Sequence, residues 1–184
     1  IAQAHLGAKF NRPGYPVIDH FIYCICSDGD LMEGVSYESA SLAGHLKLGN
    51  LIYLYDDNQI TIDGPTSLAF SEDVTKRFEA CGWDVSIVED GNDIDAIETA
   101  IRNAQAVTDK PSIIRIKTII GFGMPKQGTS KAHSDAPGEE AVKETKRNLD
   151  WPENKSFYIP KEVLTHFRTA VKRGSQLEKD WEAL

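Results

Sequence analysis

The chain has 184 residues, 28 of them Asp or Glu and 20 Lys or Arg, for a formal charge of −8. At roughly 100 to 200 residues per domain this length predicts a single main domain, and the acidic balance excludes the basic face that nucleic acid or an anionic membrane surface would require. No apolar run is long enough to cross a bilayer, and Cys24, Cys26 and Cys81 have no spacing suited to a zinc site or a disulfide framework, so they read as reduced thiols in a cytoplasmic protein.

Ile1 to Lys9 predicts a helix that begins without a cap, and Asn11 to Pro16 a turn-rich loop feeding the first strand. Phe21 to Cys26 and Leu51 to Tyr55 are short, rich in β-branched and aromatic residues and nearly continuous in hydrophobicity, as strands buried on both faces of a parallel sheet should be. Met32 to Leu46 reads as the helix between them, with a surface of small side chains that favours close packing. Ser71 is the expected N-cap of a helix reaching Cys81, with Val74, Phe78 and Cys81 on its apolar stripe and Gly82 ending it. Trp83 to Val88 predicts a strand, Asp93 to Val107 a helix with Ile94, Ile97, Ile101 and Ala104 inward, and Ser112 to Ile120 a further strand. Gly121 to Gly138 is a long, glycine-punctuated stretch expected to be mobile, and helices follow from Gly138 to Leu149 and from Pro160 onward. Alternation of β and α elements indicates an α/β fold, a mostly parallel open sheet with helices on both faces.

The candidate chemistry lies in Ser27-Asp28-Gly29-Asp30 and in Tyr55-Asp56-Asp57-Asn58, each of which ends a predicted strand. Two parallel strands joined by a helix put both clusters at carboxyl ends, the edge where open α/β sheets bind ligands. Asp28 offers a carboxylate, Asn58 an amide oxygen and the following turn a backbone carbonyl, a set suited to Mg2+, with Ca2+ as the alternative. A small ion held by so few protein oxygens completes its shell with phosphate and water, which implies a phosphorylated ligand. Gly29 permits close backbone approach to it, and the first N–H groups of the following helix offer about half a positive charge. An EF-hand loop fails because Met32 and Glu33 stand where an oxygen donor and a glycine are needed, and no G-x-G-x-x-G follows either strand. From spacing alone, Asp28 and Asn58 serve equally well as ordinary turn and cap residues.

The run SDGDLMEGVSYESASLAGHLKLGNLIYLYDDNQITIDG resembles transketolase, and the resemblance extends from the first residue to about Pro160. Ser27 stands where the family motif usually has its first glycine. The resemblance implies thiamine diphosphate as cofactor, with Asp28, Asn58 and the carbonyl of Ile60 as Mg2+ ligands and with Gly29 and Asn58 at the diphosphate. It likewise implies Ile62 beside the thiazolium ring, His133 at the diphosphate and the substrate as a catalytic residue assisting proton transfers, and Glu33 and Glu38 in acidic contacts near the cofactor and across a dimer interface.

The implied activity is transfer of a two-carbon ketol unit from a ketose phosphate to an aldose phosphate. Residues 1–160 would form most of the diphosphate-binding domain, with its beginning missing, and 161–184 a helix or linker toward an absent domain. Sugar phosphate substrates, the missing domains or a companion subunit, and a homo-oligomer follow as expected partners. The chain is accordingly expected to be a fragment or one subunit of a split enzyme. A related enzyme, such as a dihydroxyacetone synthase or a deoxyxylulose-phosphate synthase, and a non-catalytic assembly or regulatory module that keeps the fold are the alternative readings.

Overall fold

The computed structural model describes residues 1–183, so Leu184, the last residue of the expected linker, lies outside the described residues. Four parallel strands form one sheet in the order β1-β2-β4-β3: β1 (Ile22–Ser27), β2 (Leu51–Asp57), β3 (Asp84–Val88) and β4 (Ser112–Lys117). The register of the first pair runs from Ile22 opposite Leu51 to Ser27 opposite Asp56, so the two polar clusters leave the sheet side by side. This is the expected α/β architecture, and it follows from β-branched runs that have to be covered on two faces.

Helices supply that cover for the central strands β2 and β4, but β1, expected to be buried on both faces, lies at the border of the sheet and leaves Ile25 79 % exposed. On one face Cys26, Tyr55, Trp83 and Ile113 pack with Leu31 of α2 (Asp28–Leu31), Ala40 and Ala43 of α3 (Gly34–His45), and Val74 and Phe78 of α4 (Val74–Ala80). On the other, Ile52, Val88 and Ile114 meet Ala100 and Ala104 of α5 (Ile94–Ala106). Neighbouring Ile113 and Ile114 point into opposite layers, as the two-residue period of a strand requires. The opening helix is α1 (Ala2–Phe10), while α6 (Lys131–Ser134), α7 (Glu139–Asn148) and α8 (Lys161–Glu182) follow the sheet. Every described residue of α8 is exposed.

Four further expectations are corrected. The helix expected over Met32 to Leu46 is two helices, because the chain leaves helical geometry at Glu33, whose ψ of 135° is extended, and restarts at Gly34. Ser71 is not a cap. Asp73 is, its Oδ1 accepting from Lys76 N–H at 3.2 Å, because a carboxylate adjoining the first turn outcompetes a hydroxyl two residues upstream. Ile94 is 70 % exposed rather than inward, being the first residue of α5 after the Asp93 cap, and Ala100 and Ala104 are the buried residues of the helix. The stretch from Gly121 to Gly138 is tied down rather than loose: Gly128 N–H donates to Ile120 O at 2.9 Å, Gly123 N–H to Gln127 Oε1 at 2.8 Å, and Asn148 Nδ2 to Gly123 O at 2.8 Å.

The small residues of α3 have a packing explanation. Trp83 Nε1 donates to the carbonyl of Ala40 at 2.8 Å, and a methyl placed on Gly44 would come within 1.7 Å of the Cys81 carbonyl oxygen. Gly34, on the same helix, faces open space. Gly44→Ala is therefore expected to lower the urea midpoint by the equivalent of about 1–3 kcal/mol, the usual cost of overpacking, while Gly34→Ala changes it little or raises it. Equal midpoint shifts in the two variants would show that α3 does not pack this closely.

Candidate functional site

Asp28 is the first residue of α2 and is only 1 % exposed. Its Oδ1 accepts the Tyr55 hydroxyl at 2.6 Å and its Oδ2 the backbone N–H of Gln59 at 2.9 Å, so one carboxylate joins the exit of β1 to the exit of β2. Gln59 presents that N–H from a left-handed conformation, φ 61°, directly after Asn58. Burial pushes the Asp28 carboxyl above the usual carboxylate range, the Tyr55 and Gln59 hydrogen bonds pull it back in part, and neighbouring Asp57 and Asp56 raise it again. The Tyr55 phenol is also driven upward, first by burial and then by its bond to Asp28.

Asn58 is fixed beside this pair. Its Oδ1 accepts from Ile60 N–H at 3.0 Å, and its Nδ2 contacts Asp56 Oδ2 at 3.3 Å and Ser27 Oγ at 3.4 Å. Ser27 has φ −126° and ψ −178°, ordinary extended backbone, so the position makes no demand for the glycine usual in the family motif. Asp30 reaches back to accept the Ser27 N–H at 2.8 Å, half of a capping box. After Ile60 the chain turns on itself, with Thr61 N–H donating to Gly64 O at 2.7 Å and Thr66 N–H to Gln59 O at 2.9 Å. The carbonyl of Ile60 accepts no hydrogen bond among the described residues.

These elements surround an open cleft of about 1050 Å3 at the carboxyl edge of the sheet, lined among others by Gly29, Asn58, Ile60, Ile62 and His133. Five of the six residues singled out in the sequence thus share one cavity. The sixth, Asp28, does not line it: its carboxylate lies beneath the surface on Tyr55 and Gln59. A methyl on Gly29 would meet nothing within 4 Å, which leaves space there for a ligand to approach the backbone. Ile62 is 64 % exposed into the cleft region, and His133 stands on α6. Glu33 also lines the cleft, whereas Glu38 lies exposed on α3. The dipole expected behind Gly29 shrinks, because the helix there is the single turn α2.

The donor set fits a hard cation. The lining carries Asp30, Glu33, Asp56 and Asp63 with no lysine or arginine, so a diphosphate would find repulsion unless a cation came with it. Asp28 uses two of its roughly four acceptor positions, and the unbonded Ile60 carbonyl and the Asn58 oxygen complete an all-oxygen group. Asp57 is excluded from this set: it is 3 % exposed and spoken for by Arg115, whose Nε lies 2.6 Å from its Oδ2.

Sequence reasoning missed Tyr55 and Gln59 as the holders of Asp28, and Arg115 and Thr118 as partners of Asp57 and Asp56. One signal was available, a tyrosine within an apolar strand directly before two aspartates, because a buried phenol needs a polar partner.

A parallel α/β domain with an acidic cleft where two adjacent strands end has that cleft at the edge where open α/β sheets bind ligands. The chain belongs to the transketolase family: residues 1–184 match the family model described as transketolase, thiamine diphosphate binding domain. It is 54 % identical over 183 residues to the transketolase of a Nostoc species, covering 98 % of this chain and 27 % of that protein. It is 51 % identical over 185 residues to the transketolase of Streptococcus pyogenes serotype M6, covering 100 % of this chain and 25 % of the relative. Among solved structures, Leishmania mexicana transketolase superposes with a TM-score of 0.94 at 43 % identity, over 98 % of this chain and 27 % of that one. A Pichia stipitis transketolase in complex with sedoheptulose-7-phosphate gives 0.93 at 43 % identity, with the same coverage. The chain therefore spans about a quarter of the length of the relatives it matches.

Tyr55→Phe tests the buried contact. With the hydroxyl gone, one oxygen of a buried carboxylate loses its donor, which is expected to cost about 1.5–3 kcal/mol at neutral pH. Because the Tyr55 bond lowers the Asp28 pKa, its contribution is present while the carboxyl is ionised and is lost as pH falls through the Asp28 pKa of the folded state. Urea denaturation of both proteins from pH 8 to pH 4 should show the gap closing toward low pH. A gap that widened on acidification would contradict this account of the contact.

Proposed function

We propose that this chain is the diphosphate-side part of a transketolase, binding thiamine diphosphate through Mg2+ for transfer of a two-carbon ketol unit from a ketose phosphate to an aldose phosphate. The observation that supports the reading is an acidic cleft without lysine or arginine, lined by Asn58 and Ile60, whose carbonyl is free, with the Asp28 carboxylate buried beneath it on Gln59 N–H. Thiamine diphosphate, when bound, supplies the electron sink for breaking and forming the carbon–carbon bond.

This chain's residues bind and orient. Asp28, Asn58 and Ile60 hold the cation, with Ca2+ an acceptable substitute, and Gly29 and Asn58 stand at the diphosphate. Ile62 offers an apolar wall to the cofactor and His133 exchanges a proton with the substrate, a reading supported by both residues lining the cleft. Residues 1–160 form the cofactor-binding unit, and 161–184 is the connection to further parts of a larger, homo-oligomeric cytoplasmic protein. The exposed length of α8 supports that role.

Titration with thiamine diphosphate at fixed Mg2+ tests the assignment. Asp28→Ala should weaken binding by more than about 100-fold, above the range for residues that only orient a ligand, and His133→Ala by much less. Equal losses would reverse the ranking of the two residues. Affinity should also fall as pH drops from neutral toward the acid range, starting above the usual aspartate range, because burial makes Asp28 bind a proton in competition with the cation more readily than an exposed aspartate.

The 184-residue chain alone should bind the cofactor weakly and show no ketol transfer in a coupled assay. Orientation by missing groups is worth effective molarities of roughly 10⁵ M or more. Turnover near that of a full-length transketolase would overturn this division of labour.

A further inference from the structure

The floor of the cleft contains a second group of hydrogen bonds that the cofactor assignment leaves unused. Thr118, the first residue after β4, donates its hydroxyl to Oδ1 of Asp56. The other oxygen, Oδ2, faces Nδ2 of Asn58 at 3.3 Å. The Ser27 hydroxyl donates to the Asp56 carbonyl at 3.1 Å and lies 3.4 Å from the same Nδ2. Thr118 does not line the cleft, and its own N–H is occupied by the Asp57 carbonyl at 3.2 Å. Residues from the ends of β1, β2 and β4 thus meet around one amide.

That amide has nearly the same shape either way round, so its partners decide which end is oxygen. In the arrangement present, Nδ2 faces the Asp56 carboxylate and Oδ1 faces the Ile60 N–H. Turned over, an oxygen would face a carboxylate and an NH2 group would face a donor, two repulsive contacts in place of two favourable ones. The contacts of Nδ2 are long for hydrogen bonds, so the sign of the charge on Asp56 matters more than the strength of either bond. An Asn58 held the wrong way round would point two N–H groups at a cation.

We infer that Asp56, held in place by Thr118, is a positioning residue that fixes the Asn58 amide with its oxygen toward the cation and so sets the affinity of the site for divalent metal. The inference rests on the cofactor reading above. Thr118 acts at one remove: without its hydroxyl the Asp56 carboxylate can rotate, and Oδ2 no longer holds its place opposite Nδ2. Groups that orient a metal's ligands commonly govern affinity by about 10- to 100-fold.

Mg2+ titrated calorimetrically into the full chain at saturating thiamine diphosphate provides the test, alongside the melting temperature of the metal-free protein. Asp56→Ala is expected to lose about 10- to 100-fold in Mg2+ affinity, and Thr118→Val about threefold to tenfold. Thr118→Ser, which keeps the hydroxyl, should restore wild-type affinity. Should Asp56→Ala fail to fold, the comparison of Thr118→Val with Thr118→Ser decides alone. A Thr118→Val protein that melts lower but binds Mg2+ as tightly as wild type would overturn the inference, since the hydroxyl would then serve stability only. Wild-type protein that takes up thiamine diphosphate without any need for Mg2+ would instead overturn the cofactor reading, and this inference with it.

Discussion

The buried carboxylate of Asp28 is the contact on which the rest of the site depends. A charge at 1 % exposure is expensive unless its oxygens are occupied, and two donors from the neighbouring strand occupy them: the Tyr55 hydroxyl from within β2 and the Gln59 N–H from just beyond it. Because one donor is a strand side chain and the other a loop backbone, the same bonds that satisfy the charge also determine where the Asn58–Pro65 turn leaves the sheet. The turn then places the Ile60 carbonyl and the Ile62 side chain at the cleft. Stability and ligand geometry are therefore not separate properties at this edge.

Charge is arranged with the same economy. Asp28, Asp30, Asp56 and Asp57 crowd the ends of two adjacent strands, and Arg115 neutralises only Asp57. Asp30 is turned back onto Ser27 and Asp56 onto Thr118 and Asn58, so each carboxylate has a defined donor while net negative charge remains at the cleft. Arg77 anchors the far end of the single-turn helix α2 by donating to the Leu31 carbonyl at 3.1 Å, with its guanidinium over the rings of Phe70 and Phe78. The short helix that carries Asp28 is thus held at both ends by side chains from outside it.

Much of this was legible in the sequence because the strands are short apolar runs bounded by polar clusters, and parallel pairing across a helix allows those clusters only one edge. Gly29, Asn58, Ile60, Ile62 and His133 do line a common cleft. What could not be read was decided by which particular donor and acceptor meet. The break at Glu33 depends on the capping of a one-turn helix, the preference for Asp73 over Ser71 on which oxygen reaches Lys76 N–H, and the order of the turns beyond Gly121 on bonds to Gln127 and Asn148. Gln59 in a left-handed conformation is beyond residue preference altogether, since glutamine does not favour it. Asp28 was legible as important but not as buried, because burial of a carboxylate is set by Tyr55 and Gln59 closing over it.

Strand β1 forms one border of the sheet, with a ladder to β2 on one side only, and Ile25 on it is 79 % exposed. An open row of backbone donors and acceptors beside apolar side chains is adhesive toward any extended chain, including another copy of the same one. Among the described residues the colloidal behaviour of this chain is then a contest between that border and the mutual repulsion of molecules carrying a charge of −8. Salt, by screening the repulsion without masking the border, would shift the contest toward association.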